Sequence, residues 1–109
     1  MEMVRGDTFR FKFKRKTNNG EIIIDLPQKM YITFKYGDEK EPLFQKTLDN
    51  GITFDSEYYH VVINPEDTND LPFSKLAYDI EVINGDKVKT IYVGELELTK
   101  EVTFACNEV

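Results

Sequence analysis

Apolar and polar residues alternate along most of the chain with the period of a β-strand. Phe9, Phe11 and Phe13 alternate with Arg10, Lys12 and Lys14. Successive strand side chains point to opposite faces, so one face there is expected to be buried and the other wet. The strand predicted from this run spans Thr8 to Arg15. A second, Glu21 to Asp25, is stopped by Pro27, which lacks the N–H to continue a ladder. A third, Lys29 to Tyr36, puts Met30, Ile32, Phe34 and Tyr36 on one face, and Tyr31, Thr33 and Lys35 on the other. Leu43 to Leu48 and Ile52 to Phe54 read as two more strands, with the Asp49-Asn50-Gly51 turn pairing Leu48 with Ile52. Tyr58 to Ile63 is apolar on both faces, the mark of a central strand. The connection from Asn64 to Pro72 has room for one helical turn, begun at Pro65 and capped by Asp67 or Thr68. Val102 to Phe104 is a possible short last strand.

The pattern centres on residues Leu76 to Leu98. Leu76, Tyr78, Ile80 and Val82 share one face of the first run. Val88, Thr90, Tyr92, Gly94, Leu96 and Leu98 share one face of the second. A three-residue loop, Ile83-Asn84-Gly85, is predicted between them. It sets Ile80 opposite Val88, Tyr78 opposite Thr90, Glu81 opposite Lys87 and Asp79 opposite Lys89, which matches like with like and charge with opposite charge. It also gives Gly85 the left-handed position that glycine tolerates. At Asn19-Gly20 a two-residue turn fits better, with Phe13 opposite Leu26 and Thr17 opposite Ile22.

Helical periodicity is missing from the sequence, while strand patterns recur every eight to twelve residues with turn signals between them. That spacing predicts an all-β protein: an antiparallel β-sandwich of roughly seven to nine strands. A sandwich is preferred to a barrel because the long Asn64–Pro72 connection suits a crossing between two sheets.

Composition narrows the possible functions. At 109 residues the chain is one domain with core enough to fold without metal or disulfide staples. A net charge of −6 argues against a dedicated nucleic-acid binder. Cys106 is the single cysteine, which excludes an intrachain disulfide and fits a reducing compartment. No apolar stretch approaches a membrane span, and Met1 to Val4 lacks the apolar core of a signal peptide.

The charge is uneven. Residues 1–16 carry six cations against two carboxylates, +6 − 2 = +4, which leaves −6 − 4 = −10 on the rest. The cations Arg10, Lys12 and Lys14 form either a solvated face or a basic edge that docks onto the acidic body of another subunit. A second candidate interface is apolar. Ile91 and Val93 are expected on the outer face, with Tyr31 on a neighbouring strand, as a patch for a partner or one covered by a loop or the C-terminal segment.

Other motifs have plainer readings. Arg5-Gly6-Asp7 leads straight into a strand, so Gly6 is expected to serve a backbone bend rather than integrin display. Asp49, Asn50 and Asp55, and Glu66, Asp67, Asn69 and Asp70, are oxygen-rich but lack calcium-loop spacing. His60 has no nucleophile or orienting acid in a recognisable signature. Asp79 and Glu81 stand about 7 Å apart along one strand face, a spacing open to glycosidase chemistry, yet Lys89 and Lys87 are expected to pair with them. No catalytic residue, cofactor, metal or small-molecule substrate is implied.

Two resemblances add to this. Ile63-x-Pro65-x-Asp67-Thr68, then Leu71, then Tyr78-x-Ile80-x-Val82, is similar to the corner before the penultimate strand pair of fibronectin type III and immunoglobulin-like domains, where a corner Tyr anchors its hydroxyl to upstream backbone. The second covers most of the chain. Arg5-Gly6-Asp7-Thr8-Phe9-x-Phe11-x-Phe13, Leu26-x-x-x-Met30-x-Ile32-x-Phe34, and Tyr78-Asp79-Ile80 followed by Thr90-Ile91-x-x-Gly94-x-Leu96-x-Leu98 resemble small tail or baseplate-associated bacteriophage proteins. In layout they are similar to the N-terminal domain of phage baseplate upper proteins. The resemblance implies an immunoglobulin-like, non-enzymatic virion module of tail, baseplate or head–neck, made in the bacterial host cytoplasm. Its partners would be other virion proteins or further copies of itself in a homo-oligomer. The alternative is a carbohydrate- or cell-surface-binding sandwich, which would need exposed aromatics among Tyr31, Tyr36, Tyr58 and Tyr59.

Overall fold

A computed structural model describes residues 1–37, 39–72 and 74–100. The strands are β1 (Glu2–Val4), β2 (Phe9–Phe13), β3 (Lys29–Lys35), β4 (Phe44–Leu48), β5 (Gly51–Phe54), β6 (Tyr59–Ile63), β7 (Lys75–Asn84) and β8 (Lys87–Thr99). One helical turn, α1 (Pro65–Thr68), lies between β6 and β7, as the Asn64–Pro72 composition predicts. The protein is all-β. The segment Val102 to Phe104 and Cys106 lie outside the described residues.

The eight strands form one sheet in the order β1-β8-β7-β3-β4-β5-β6-β2, rather than two separate sheets. The joint that makes them one is thin. β4 and β5 touch through Thr47 beside Gly51 and Leu48 beside Ile52, in parallel register. Leu48 does meet Ile52, but Asp49-Asn50-Gly51 is a sideways jog and not an antiparallel hairpin. Asp49 (φ 67°) and Gly51 (φ 101°) take left-handed conformations there. The jog keeps β4 bonded to β5 where a sandwich would part its layers, so the sheet bends and rolls up. Its two halves then face one another, with the Phe11 ring of β2 lying 6.4 Å from Tyr78 of β7.

Chain connectivity closes the roll. β1 and β2 are the two edges of the sheet, yet only Arg5–Thr8 separates them in sequence. That link can span at most about 17 Å, so the edges must meet at that end. The result is a nearly closed barrel-like sheet with an open seam between β2 and β8.

The core follows the predicted alternation. Met30, Ile32 and Phe34 of β3 and Leu76, Tyr78, Ile80 and Val82 of β7 are buried. Tyr59, Val61 and Ile63 are fully buried on β6, which has β5 on one side and β2 on the other. Phe9, Phe11 and Phe13 point inward but are only half-buried, because β2 stands at the seam.

Both hairpin registers differ from expectation. Asn84 pairs with Lys87 across a two-residue Gly85-Asp86 turn, Ile80 faces Tyr92, and Tyr78 faces Gly94. Ile80 therefore does not face Val88, and the expected Glu81–Lys87 and Asp79–Lys89 pairs do not form. A bulge explains this. Ile80 pairs with Tyr92 but Glu81 pairs with Thr90, so Ile91 has no partner across the ladder. A bulge resets the in–out alternation beyond it. Lys89, opposite Val82, is thereby turned to the inner face, while Val88 is left 60% exposed. The 18–20 turn shows the opposite change. Thr17 N–H bonds to Glu21 and Gly20 N–H to Thr17, and Lys16 bridges Ile22, so three residues form the loop. The predicted Glu21–Asp25 strand shrinks to that bridge, and Phe13 does not pair with Leu26.

Candidate functional site

The seam widens into a cleft of about 480 Å³. One wall is β2 and its extension, from Phe11 to Lys16. The other is built from Tyr78 and Ile80 of β7 and Lys89, Ile91 and Tyr92 of β8, with Met1 and Ile23 completing the lining. Beyond β2 the chain crosses the seam as a strap. Arg15 C=O accepts from Ile23 N–H, and Arg15 Nη1 donates to Asp25 C=O. The strap is then fastened to the β7–β8 turn: Gln28 N–H donates to Asn84 Oδ1 at 3.0 Å and Gly85 N–H donates to Gln28 Oε1 at 2.7 Å.

Tyr78 is the floor. Its ring lies 5.4 Å from Phe34, 5.9 Å from Tyr92 and 6.4 Å from Phe11, centroid to centroid. Gly94 stands directly opposite, and a Cβ there would come within 2.8 Å of the Tyr78 ring. Glycine is what lets the tyrosine lie flat against β8. Burial, followed by the neighbouring Tyr92, pushes the Tyr78 phenol up to about 12.

Five cations, Lys12, Lys14, Arg15, Lys16 and Lys89, line the cleft without a carboxylate among the lining residues. They are not equivalent. The Lys12 and Lys14 ammoniums lie 4.2 and 4.6 Å from the centre of the Tyr58 ring, and Lys14 pairs with Glu57 at 2.9 Å. The Glu57 carboxylate, then Tyr58, raises the Lys14 pKa. Lys16 and Lys89 have no ion-pair partner among the described residues.

The predicted interface residues divide. Arg10 and Lys12 are exposed and Lys14 half-buried on the basic strand beside the cleft. Val93 is outward and 71% exposed. Ile91 is not beside it, because the bulge turns Ile91 inward against the core. Tyr31 is separated from β8 by the whole of β7, where Glu81 stands opposite it. The expected Ile91–Val93–Tyr31 patch therefore does not exist as a surface. Sequence reasoning missed Tyr78, Tyr92 and Lys89 as wall residues. Gly94 in an otherwise bulky strand was the one legible hint.

The other motifs have structural partners. Gly6 (φ 82°) makes the expected bend; its N–H donates to Thr68 Oγ1 at 2.9 Å, and Arg5 Nη1 donates to Leu71 C=O at 3.2 Å. Asp67 accepts from Lys46 Nζ at 2.6 Å and from the Asn64 N–H at 2.7 Å. Lys46 points inward from β4 and is 6% exposed, so this is a largely buried ion pair. Asp55 bonds His60 Nε2 at 2.7 Å and accepts from the Glu57 and Tyr58 N–H groups. The His60 hydrogen bond first, then those two amides, lower the Asp55 carboxyl to about 2.

No protein-family model matches the sequence, and no curated protein matches it.

Proposed function

We propose that the protein is a non-enzymatic structural module of a phage or prophage virion, a tail, baseplate or head–neck component that works by protein–protein assembly. The observation that carries the assembly reading is the seam. A strand edge rich in cations lies open beside one exposed ring, that of Tyr92, on a chain whose net charge is −6. Charge asymmetry of this kind bears on association rather than on folding. The virion setting rests on the sequence resemblance. The strand order supports the immunoglobulin-like part of the proposal. β4-β3-β7-β8-β1 and β5-β6-β2, joined only at the β4–β5 jog, correspond to the five- and three-strand layers of such a domain. The carbohydrate-binding alternative is less favoured, since Tyr59 is fully buried and Tyr31, Tyr36 and Tyr58 are half-buried.

Light scattering across a concentration series tests the proposal. A closed oligomer, reduced by Arg10→Glu together with Lys12→Glu, is the expected result. A monomer at every concentration that binds glycans on a screen would replace the assembly reading with the carbohydrate one.

A further inference from the structure

We infer that the cleft is a strand-addition site. It takes a short extended segment of another protein chain, apolar on one side and acidic on the other, hydrogen-bonded along the free edge of β2. The inference rests on the assembly reading and names the class of partner.

The lining of the cleft is the first reason. Six consecutive residues, Phe11 to Lys16, border it. Alternate strand side chains point to opposite faces, so what six successive residues share is the backbone edge. β6 occupies the other edge of β2 through five residue pairs, Phe9–Ile63 to Phe13–Tyr59. Among the described residues no strand pairs with the cleft-side edge before Arg15, where the strap begins. An edge with unpaired N–H and C=O groups is a template for an added strand, and main-chain bonds then supply affinity.

The opposite wall supplies specificity. Tyr78, Ile80 and Ile91 offer an apolar floor, and Tyr92 is 54% exposed at its mouth. Lys16 and Lys89 stand at the cleft without ion-pair partners among the described residues. The occupant that matches both features alternates apolar and carboxylate side chains. Size limits it to a peptide segment. The free stretch, Phe11 to Lys14, is about 10 Å long at the usual strand rise, and Met1, Ile23 and the strap that takes up Arg15 and Lys16 confine the opening. A whole domain edge does not enter such a window; a flexible segment does.

The test uses the full chain and two capped hexapeptides. One alternates valine or phenylalanine with glutamate, and the other has lysine at each glutamate position. Titration is read by calorimetry, and amide hydrogen exchange is followed over Phe11–Lys16. The glutamate peptide should bind and slow exchange at the cleft-side amides of β2. The lysine peptide should bind at least about tenfold more weakly, as should the glutamate peptide to the Lys16→Glu/Lys89→Glu variant at low salt. Both substituted side chains are exposed, so the fold should survive, and circular dichroism checks that. Equal binding of the two peptides, or protection elsewhere with none on β2, overturns the inference. So does protection of β2 that rises with protein concentration alone, which would make a second copy the occupant. If β2 shows no protection while light scattering still finds a closed oligomer, the strand-addition site falls and the assembly reading stands. If the chain neither assembles nor binds either peptide, both fall.

Discussion

The seam is fastened at both ends, by α1 at one and by the strap at the other, and is open along its middle. The α1 end and the middle are built from different chemistry, and α1 acts as a polar clasp. Thr68 accepts the Gly6 N–H, Leu71 accepts from Arg5, and Asp67 holds both Lys46 and the Asn64 N–H. Each of these bonds joins distant parts of the chain or caps the turn. Along the middle there is no such clasp. Tyr78, Tyr92 and Phe11 meet as rings, and of the cations at the rim Lys16 and Lys89 have no ion-pair partner among the described residues. The contrast teaches that a rolled sheet can be held shut by a few part-buried polar contacts near its ends, which leaves an unpaired backbone edge between them among the described residues.

That division can be broken from the fastened side with the largest effect. Lys46→Ala removes one partner of a largely buried ion pair and leaves the Asp67 carboxylate with the Asn64 N–H alone, which should cost about 3 kcal/mol and lower the denaturant midpoint without altering the cleft. A stability change within error would mean the clasp is not where the roll is held. Gly94→Ala attacks the open side. Its methyl would press on the Tyr78 ring, and overpacking of this kind costs about 2 kcal/mol. The near-ultraviolet tyrosine signal should change with it, since the ring must move. An unchanged spectrum would mean that Tyr78 is not held against β8. Thr68→Val returns to the clasp with a smaller loss, about 1 kcal/mol, because the Gly6 N–H loses its acceptor. Amide exchange at Gly6 should quicken while exchange on β2 stays as it was.

The smallest effect comes from a site in neither region. Asp55 ionises at about 2 in the folded chain against an ordinary 3.8. A carboxyl with a depressed folded pKa contributes stability that is present above the ordinary value and lost as pH falls through the folded one. Urea midpoints between pH 5 and pH 2 should therefore drop more steeply in the native chain than in Asp55→Asn, most of all below pH 4. Parallel curves would show that the His60–Asp55 contact does not persist in solution.

Much of the fold was legible as alternation. The inward faces of β3, β6 and β7 follow from residue type, because burying a row of Met, Ile, Phe or Tyr outweighs any alternative. The single helical turn was legible in Pro65 and Asp67. The hairpins were not. The predicted Ile80–Val88 register rested on surface charge pairs worth a few tenths of a kcal/mol each. The bulge at Ile91 overrides them, and no residue type announces a bulge. The wrong hairpin parity carried straight into the site: it put Ile91 outside and hid Lys89 as a wall residue. Closure of the seam was illegible for another reason. It depends on contacts between the first and last strands, which local periodicity does not contain. The basic character of the first strand was read correctly, but its free edge could not be.

The pairing of β1 with β8 also sets a timetable. Glu2 lies beside Glu97, Met3 beside Leu98 and Val4 beside Thr99. During synthesis these partners are 95 positions apart, so the seam cannot begin to close until β8 has emerged. Contacts so remote in sequence are slow to form, and strand edges left open meanwhile invite mispairing. The lysines and arginines along the earliest large strand suit that interval, because like charges keep two nascent copies from zipping together edge to edge.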